Sequence, residues 1–213
     1  MPCIVPIVEG QGERDSVPLL LRRILYRHQL WHWSATRPIL AGNLHRLKKK
    51  LAEFIAYARK KKDCGGILIL LDLDDGCPAE EAANLAEQVR GLHLHSPVAI
   101  VFAHREYEAW FLPNMDTIAR NNADRFPPSL KYKGNVESRR GVKEWLTHQM
   151  PPGQKYKPPV DQGGLTNLID IDLTQQRSRS FRRLCHAVWE LVQMSDDSQH
   201  RGPGVTPTDS PTD

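Results

Sequence analysis

The chain lacks any closely spaced cysteine pair. Its four cysteines stand at positions 3, 64, 77 and 185, with no C-x-x-C among them. That spacing suggests neither a zinc knuckle nor a disulfide framework, and free thiols in a reducing cytosol are expected. Long apolar runs are missing too. The longest clean one, Ile67 to Leu71, is far short of the roughly 20 residues a bilayer span needs. The N-terminus shows no basic segment followed by a long apolar core, so no signal peptide is expected. No G-x-x-x-x-G-K-[ST] is present, which excludes a P-loop, and no G-x-S-x-G marks a nucleophile. Charge is nearly balanced: 29 basic against 25 acidic side chains give +4 and a pI near 8.9. This permits a polyanionic partner without demanding one. A soluble, cytoplasmic protein with no membrane association is the expectation. At 213 residues it is one domain, or one with an appendage.

What is present is an alternation of buried strands and amphipathic helices. Cys3 to Val8 reads as a strand, followed by a helix that Asp15 or Ser16 caps, with Pro18 in its first turn and an apolar face of Leu19, Leu20, Ile24 and Leu25. Residues 31–40 look extended. Residues 44–62 carry Leu44, Leu47, Leu51, Phe54, Ile55 and Ala58 at helical spacing, with Gly65 and Gly66 as the stop. ILILLDLDDG then reads as a central parallel strand, 79–90 as a helix and PVAIVFA (97–103) as another buried strand. This order predicts an α/β fold with a parallel sheet flanked by helices. After Pro113 the pattern weakens. Residues 114–136 look like an insertion, 136–150 a helix, 151–165 a Pro/Gly-rich loop and 179–194 a closing helix. The predicted organisation is a domain over 1–113, a C-terminal helical extension over 114–194 packing on it, and a disordered Ser/Pro/Asp tail over 195–213.

Three acidic groups follow the three predicted buried strands: Glu9 with Glu13, then Asp72, Asp74 and Asp75, then Glu106 with Glu108. The carboxyl ends of parallel strands share one edge, where α/β proteins hold their ligands. Adjacent strands would therefore bring up to seven carboxylates into one crevice. Carboxylates so close repel one another and need a counter-charge. A divalent cation supplies it: Mg²⁺ takes carboxylate oxygens plus water and substrate phosphate, and two such ions roughly 4 Å apart suit an in-line phosphodiester displacement. Glu9, Asp72 and Asp74 are the expected metal ligands, with Glu13 and Glu106 completing a second site. Plainer roles stand beside these. Asp75 could cap the next helix, Glu13 could serve the helix dipole, and Glu108 could be a surface acid beside Trp110.

IVEGQGE followed by LLDLDDG resembles the TOPRIM domain of topoisomerases, primases and OLD-type nucleases, across about residues 3–112. The pairing of Glu9 with Glu13 is more similar to the OLD nucleases. REYEAWFL and the basic C-terminal helix resemble a family of small uncharacterised TOPRIM-like proteins often encoded beside an ATPase. The resemblance implies an Mg²⁺- or Mn²⁺-dependent nuclease acting on nucleic acid, in defence against phage or other foreign DNA, with a separate partner ATPase. It places Glu9 at the TOPRIM glutamate, Asp72 and Asp74 at its D-x-D, and Glu13 at the second OLD glutamate. OLD enzymes also use a lysine late in the domain, and Lys155 and Lys157 are the candidates, Lys157 preferred.

Basic groups could hold a phosphate backbone: LKKK and RKKK around the 44–62 helix, Lys131, Lys133, Arg139 and Arg140, and Arg177, Arg179, Arg182 and Arg183. Their commonest meaning is a solvated face. His28 and His32 have helical zinc-ligand spacing but no acidic third partner. Two rival readings share the acidic crevice: a non-catalytic regulatory subunit of an ATPase complex, and a phosphohydrolase of small nucleotides. The sequence leaves DNA against RNA, and a homo-oligomer against a monomer, undecided.

Overall fold

A computed structural model describes residues 1–94 and 96–200, with side chains up to 196. The chain forms a wholly parallel sheet between two layers of helices. β1 (Cys3–Val8) pairs with β4 (Cys64–Leu73), and β4 with β5 (Val98–His104). Two short strands, β2 (Ser34–Ala35) and β3 (Ile39–Leu40), share the other side of β1. The three long strands are thus neighbours, in the order β1-β4-β5.

The runs are apolar without alternation because both faces are covered. Ile4 and Val8 of β1 join Leu68 and Leu70 of β4 and Val101 of β5 in one core. Cys3, Val5, Ile7, Ile67, Ile69, Leu71, Ile100 and Phe102 point into the other. The first core is closed by α1 (Glu13–Arg27) and α9 (Arg179–His200). The second is closed by α3 (Leu51–Arg59) and α4 (Pro78–Arg90). The C-terminal part therefore supplies helical cover for the sheet through Phe181, Leu184, Val188 and Leu191. Among the described residues no strand pairs with the outer edge of β5, which borders an apolar groove of about 760 Å³ between α4 and α9.

Several expectations are corrected. The 44–62 segment is two helices, α2 (Leu44–Lys49) and α3, with Lys50 breaking the register; Asn43 starts the first by accepting the Arg46 N–H at 2.8 Å. Gly65 and Gly66 do not stop a helix but lie in β4, because neighbouring side chains need their faces: a Cβ on Gly65 would fall 2.5 Å from the Trp33 ring, and one on Gly66 3.2 Å from Leu191. α1 begins at Glu13, before either predicted cap, and the Ser16 hydroxyl instead bonds back to the Gly12 carbonyl at 2.9 Å. Residues 114–136 include α5 (Met115–Asn121), and α6 spans only Val142–Gln149.

The Pro/Gly-rich loop is in part a helix, α7 (Pro158–Asn167). Pro158 suits the first helical position, and the Asp161 carboxylate accepts the Lys157 N–H at 2.6 Å while pairing with Arg125. Gln162 and Leu165 are buried, and the helix lies against α1. α8 (Ile171–Arg177) follows, started by the Asp170 side chain. α9 continues beyond Met194 to His200, so the tail expected from 195 begins in helix, and 201–213 lie outside the described residues.

Gly65→Ala tests the close approach under Trp33. Forcing a methyl into this packed corner is expected to destabilise the fold by about 1–3 kcal/mol. Urea denaturation measures it, and unchanged stability would contradict the packing described.

Candidate functional site

The order β1-β4-β5 places the three acidic groups at three adjacent strand ends on one edge of the sheet. Asp72 is the penultimate residue of β4, the strand between β1 and β5. Its Oδ1 accepts the Tyr107 N–H at 2.8 Å, and its Oδ2 lies 3.4 Å from the Lys143 ammonium. Burial pushes its pKa well above the usual carboxylate range; Lys143 opposes this, while Glu108, Glu13 and Glu9 add to it. Glu9 is likewise raised, by burial and then by Glu13, against the pull of the Asp72 backbone N–H and Lys143. Glu13 is buried at the start of α1, and its Oε2 accepts the Gly10 N–H at 2.9 Å. Asp74 and Asp75 are exposed on the turn after β4. Glu9, Glu13, Asp72 and Asp74 therefore share one electrostatic neighbourhood.

The structure gives Glu106 another task than the second metal site expected of it. Its two oxygens accept the Val142 and Lys143 N–H groups at 3.2 and 3.3 Å. A carboxylate there satisfies the free donors that begin α6 and suits its dipole. Glu108 is fully buried, not a surface acid. Its Oε1 accepts the Tyr156 hydroxyl at 3.0 Å and its Oε2 lies 3.1 Å from the Lys143 ammonium. Burial raises the Glu108 pKa, with Lys143 pulling it back.

Lys143 is the residue the sequence reading missed. Its ammonium lies within 3.1–3.6 Å of Glu108, Asp72 and Glu106. Burial disfavours its charge, but Glu108, Asp72 and Glu106 outweigh that and hold its pKa above the ordinary lysine value. One local signal was available. Lys143 is the second residue of α6, where a cation opposes the helix dipole; a lysine there implies an acidic partner elsewhere. Lys157 does not fill this place. It is exposed, precedes α7, and forms no ion pair among the described residues. Its stretch still adjoins the site, since a Cβ on Gly12 would meet Pro158 at 2.7 Å and the Gln162 amide oxygen at 1.9 Å.

The donor set fits a hard divalent cation in kind. All the donors are carboxylate oxygens, and the raised Glu9 and Asp72 show that one ammonium does not fully compensate them. Among the described residues, however, no three or more His, Cys, Asp or Glu side chains stand as a ready-made metal cage. A cation would have to draw Glu9, Glu13 and Asp74 towards Asp72. The apolar β5 groove is a separate feature, lined by none of these four carboxylates. No helix among the described residues is long and apolar enough to cross a membrane.

A family model described as a domain of unknown function, DUF4276, matches residues 8–188. That span contains every acidic residue of the site together with Lys143. Comparison with curated proteins and with solved structures gives no match.

Lys143→Met tests the ion cluster. Removing the ammonium leaves Glu108 and Asp72 uncompensated, an expected loss of about 3 kcal/mol at pH 8. Both acids have raised pKa values in the folded state, so the folded state binds more protons than the unfolded one, and stability falls as pH rises from the usual carboxylate range through the raised values. The variant should thus be hurt least near pH 4.5 and most near pH 8. Urea titrations at the two values check this, and a pH-independent difference would contradict it.

Proposed function

We propose that this chain, which belongs to the DUF4276 family, hydrolyses phosphodiester bonds of nucleic acid with Mg²⁺ or Mn²⁺ at the carboxyl edge of its sheet. The observation that carries the reading is the placement of Glu9, Asp72 and Asp74 at the neighbouring carboxyl ends of β1 and β4, beside an acid-held lysine. Glu9, Glu13, Asp72 and Asp74 would hold the cation. When bound it supplies a water of lowered pKa and neutralises developing negative charge.

The chain's own residues have distinct tasks. Tyr107 fixes Asp72 through its backbone N–H, and Gly10 fixes Glu13 in the same way. Glu106 anchors the start of α6, and Glu108 with Tyr156 holds the Lys143 ammonium at the rim of the crevice. The Lys143 side chain is 36% exposed, so it can offer an N–H to a phosphoryl oxygen. A cation so fixed stabilises charge that grows in the transition state. The resemblance to the OLD nucleases and their small relatives supports a role in defence against foreign DNA beside a partner ATPase.

One observation favours a second reading, a subunit that regulates an ATPase complex without turnover. Lys143 stands 3.4 Å from Asp72, where it can act as the counter-charge of a site that needs no metal.

Plasmid, single-stranded DNA and RNA incubated with Mg²⁺ or Mn²⁺, with and without a co-encoded ATPase, separate the two. Cutting is expected from the wild type and lost to background in Glu9→Ala and Asp72→Ala. Lys143→Ala is expected to slow it on the order of 10²–10³-fold. Undiminished cutting by both carboxylate variants would overturn the site, and absence of metal-dependent cutting by the wild type in every arm would favour the second reading.

A further inference from the structure

Beside the acidic edge the turn after β4 carries an arrangement that the carboxylates do not explain. Arg105 directly follows β5 with φ +74, in the left-handed region that costs a non-glycine residue about 1 kcal/mol or more. The backbone is held there because the Arg105 N–H donates to the Leu73 carbonyl at 2.9 Å. This turns the guanidinium back across the end of β4, where its Nη1 donates to the Asp74 carbonyl oxygen and lies 3.4 Å from Asp75 Oδ1. The Arg105 Nε is buried without a hydrogen-bond partner. Arg140 reaches the same Asp75 oxygen at 2.5 Å from the loop before α6. Two guanidinium groups from distant segments therefore converge on one carboxylate oxygen, and that carboxylate is 80% exposed.

A single exposed carboxylate is a weak reason for a strained backbone, since exposed ion pairs contribute about 0–1 kcal/mol. Paired guanidinium forks match a phosphate, which offers more oxygens and more charge than a carboxylate. Asp75 lies one residue from Asp74, and Arg140 three residues before Lys143.

We propose that Arg105 and Arg140 form a clamp for a backbone phosphate of nucleic acid next to the acidic edge, and that Asp75 occupies the clamp when no nucleic acid is bound. The clamp supplies the positive surface that lets a polyanion approach clustered carboxylates. It rests on the nucleic-acid part of the function proposed above, not on turnover. Asp75 then acts as a competitor that binding displaces, so removing its charge strengthens binding instead of weakening it. An ordinary structural ion pair predicts the reverse or no effect.

The test is fluorescence-anisotropy titration of labelled single- and double-stranded DNA and of RNA of mixed sequence, in EDTA, across a salt series. Arg105→Gly removes the guanidinium while accepting the positive φ, so its thermal stability should match or exceed wild type. Arg105→Gly and Arg140→Ala should each weaken binding about tenfold, irrespective of sequence, and lower the slope of log K against log salt by about 1. Asp75→Asn should tighten binding severalfold. Unchanged affinity and slope in both arginine variants, weaker binding by Asp75→Asn, or no binding by the wild type at low salt would overturn the clamp. The two proposals fail separately. Loss of binding in folded arginine variants of a protein that cuts nothing upholds the clamp and rejects the nuclease, whereas Glu9-dependent cutting with unaltered binding in those variants rejects the clamp alone.

Discussion

The ammonium of Lys143, set among Asp72, Glu106 and Glu108, is the interaction on which the carboxyl edge of this sheet depends. A parallel sheet gathers its strand ends on one side whatever they carry. Here they carry acids, and three of those acids, Glu13, Glu106 and Glu108, are buried away from the water that would otherwise screen them. Without a cation the edge would have to protonate or open. The contacts of Lys143 bring separate segments to the same point: Asp72 from β4, Glu106 from the turn after β5, and Glu108 from the 3₁₀ helix Tyr107–Asn114. The lysine thus joins the N-terminal and C-terminal parts of the chain as well as balancing charge.

A buried ion cluster of this kind is weak evidence of stability for its own sake, since well-packed apolar side chains often do as well. Its position at a strand edge fits a need for charge there. The neighbouring groups show the same emphasis. Glu106 is committed to the start of α6, and Tyr156, arriving from the segment before α7, is committed to Glu108. Glu9, Asp72 and the exposed Asp74 remain at the same edge, with burial raising the pKa of the first two. On the far side of Asp74 the charge reverses, with Arg105 and Arg140 drawn to Asp75. The substrate proposed above, a polyanion with an electrophilic phosphorus, would meet both charges.

The sheet was legible in the sequence because its information is local. The Ile, Val and Leu runs of β1, β4 and β5 and the acids that end them can be read one segment at a time. The convergence of Glu9 with Asp72 required β1 and β4 to be neighbours, which the order of the sheet provides. The rest depends on contacts between distant residues. Lys143 lies 71 residues from Asp72 in the chain, and nothing near it except the unfavourable dipole announces the pairing. Glu108 could be read as a surface acid because its partners, Lys143 and Tyr156, are also far along the chain, Tyr156 by 48 residues. The prolines and glycines of the α7 segment favour a loop, yet burial of Gln162 and Leu165 and the capping by Asp161 outweigh that propensity. Gly65 and Gly66 looked like punctuation because the demand for a bare backbone comes from Trp33 and Leu191, far away in sequence.

The most direct test of the central claim is an anomalous difference map from crystals grown with Mn²⁺. The account predicts a peak coordinated by Glu9 and Asp72 at the ends of β1 and β4, with the Lys143 ammonium withdrawn from Asp72 and still held by Glu108. Crystals saturated with Mn²⁺ that show no peak at this edge, and Lys143 unmoved on Asp72, would contradict it.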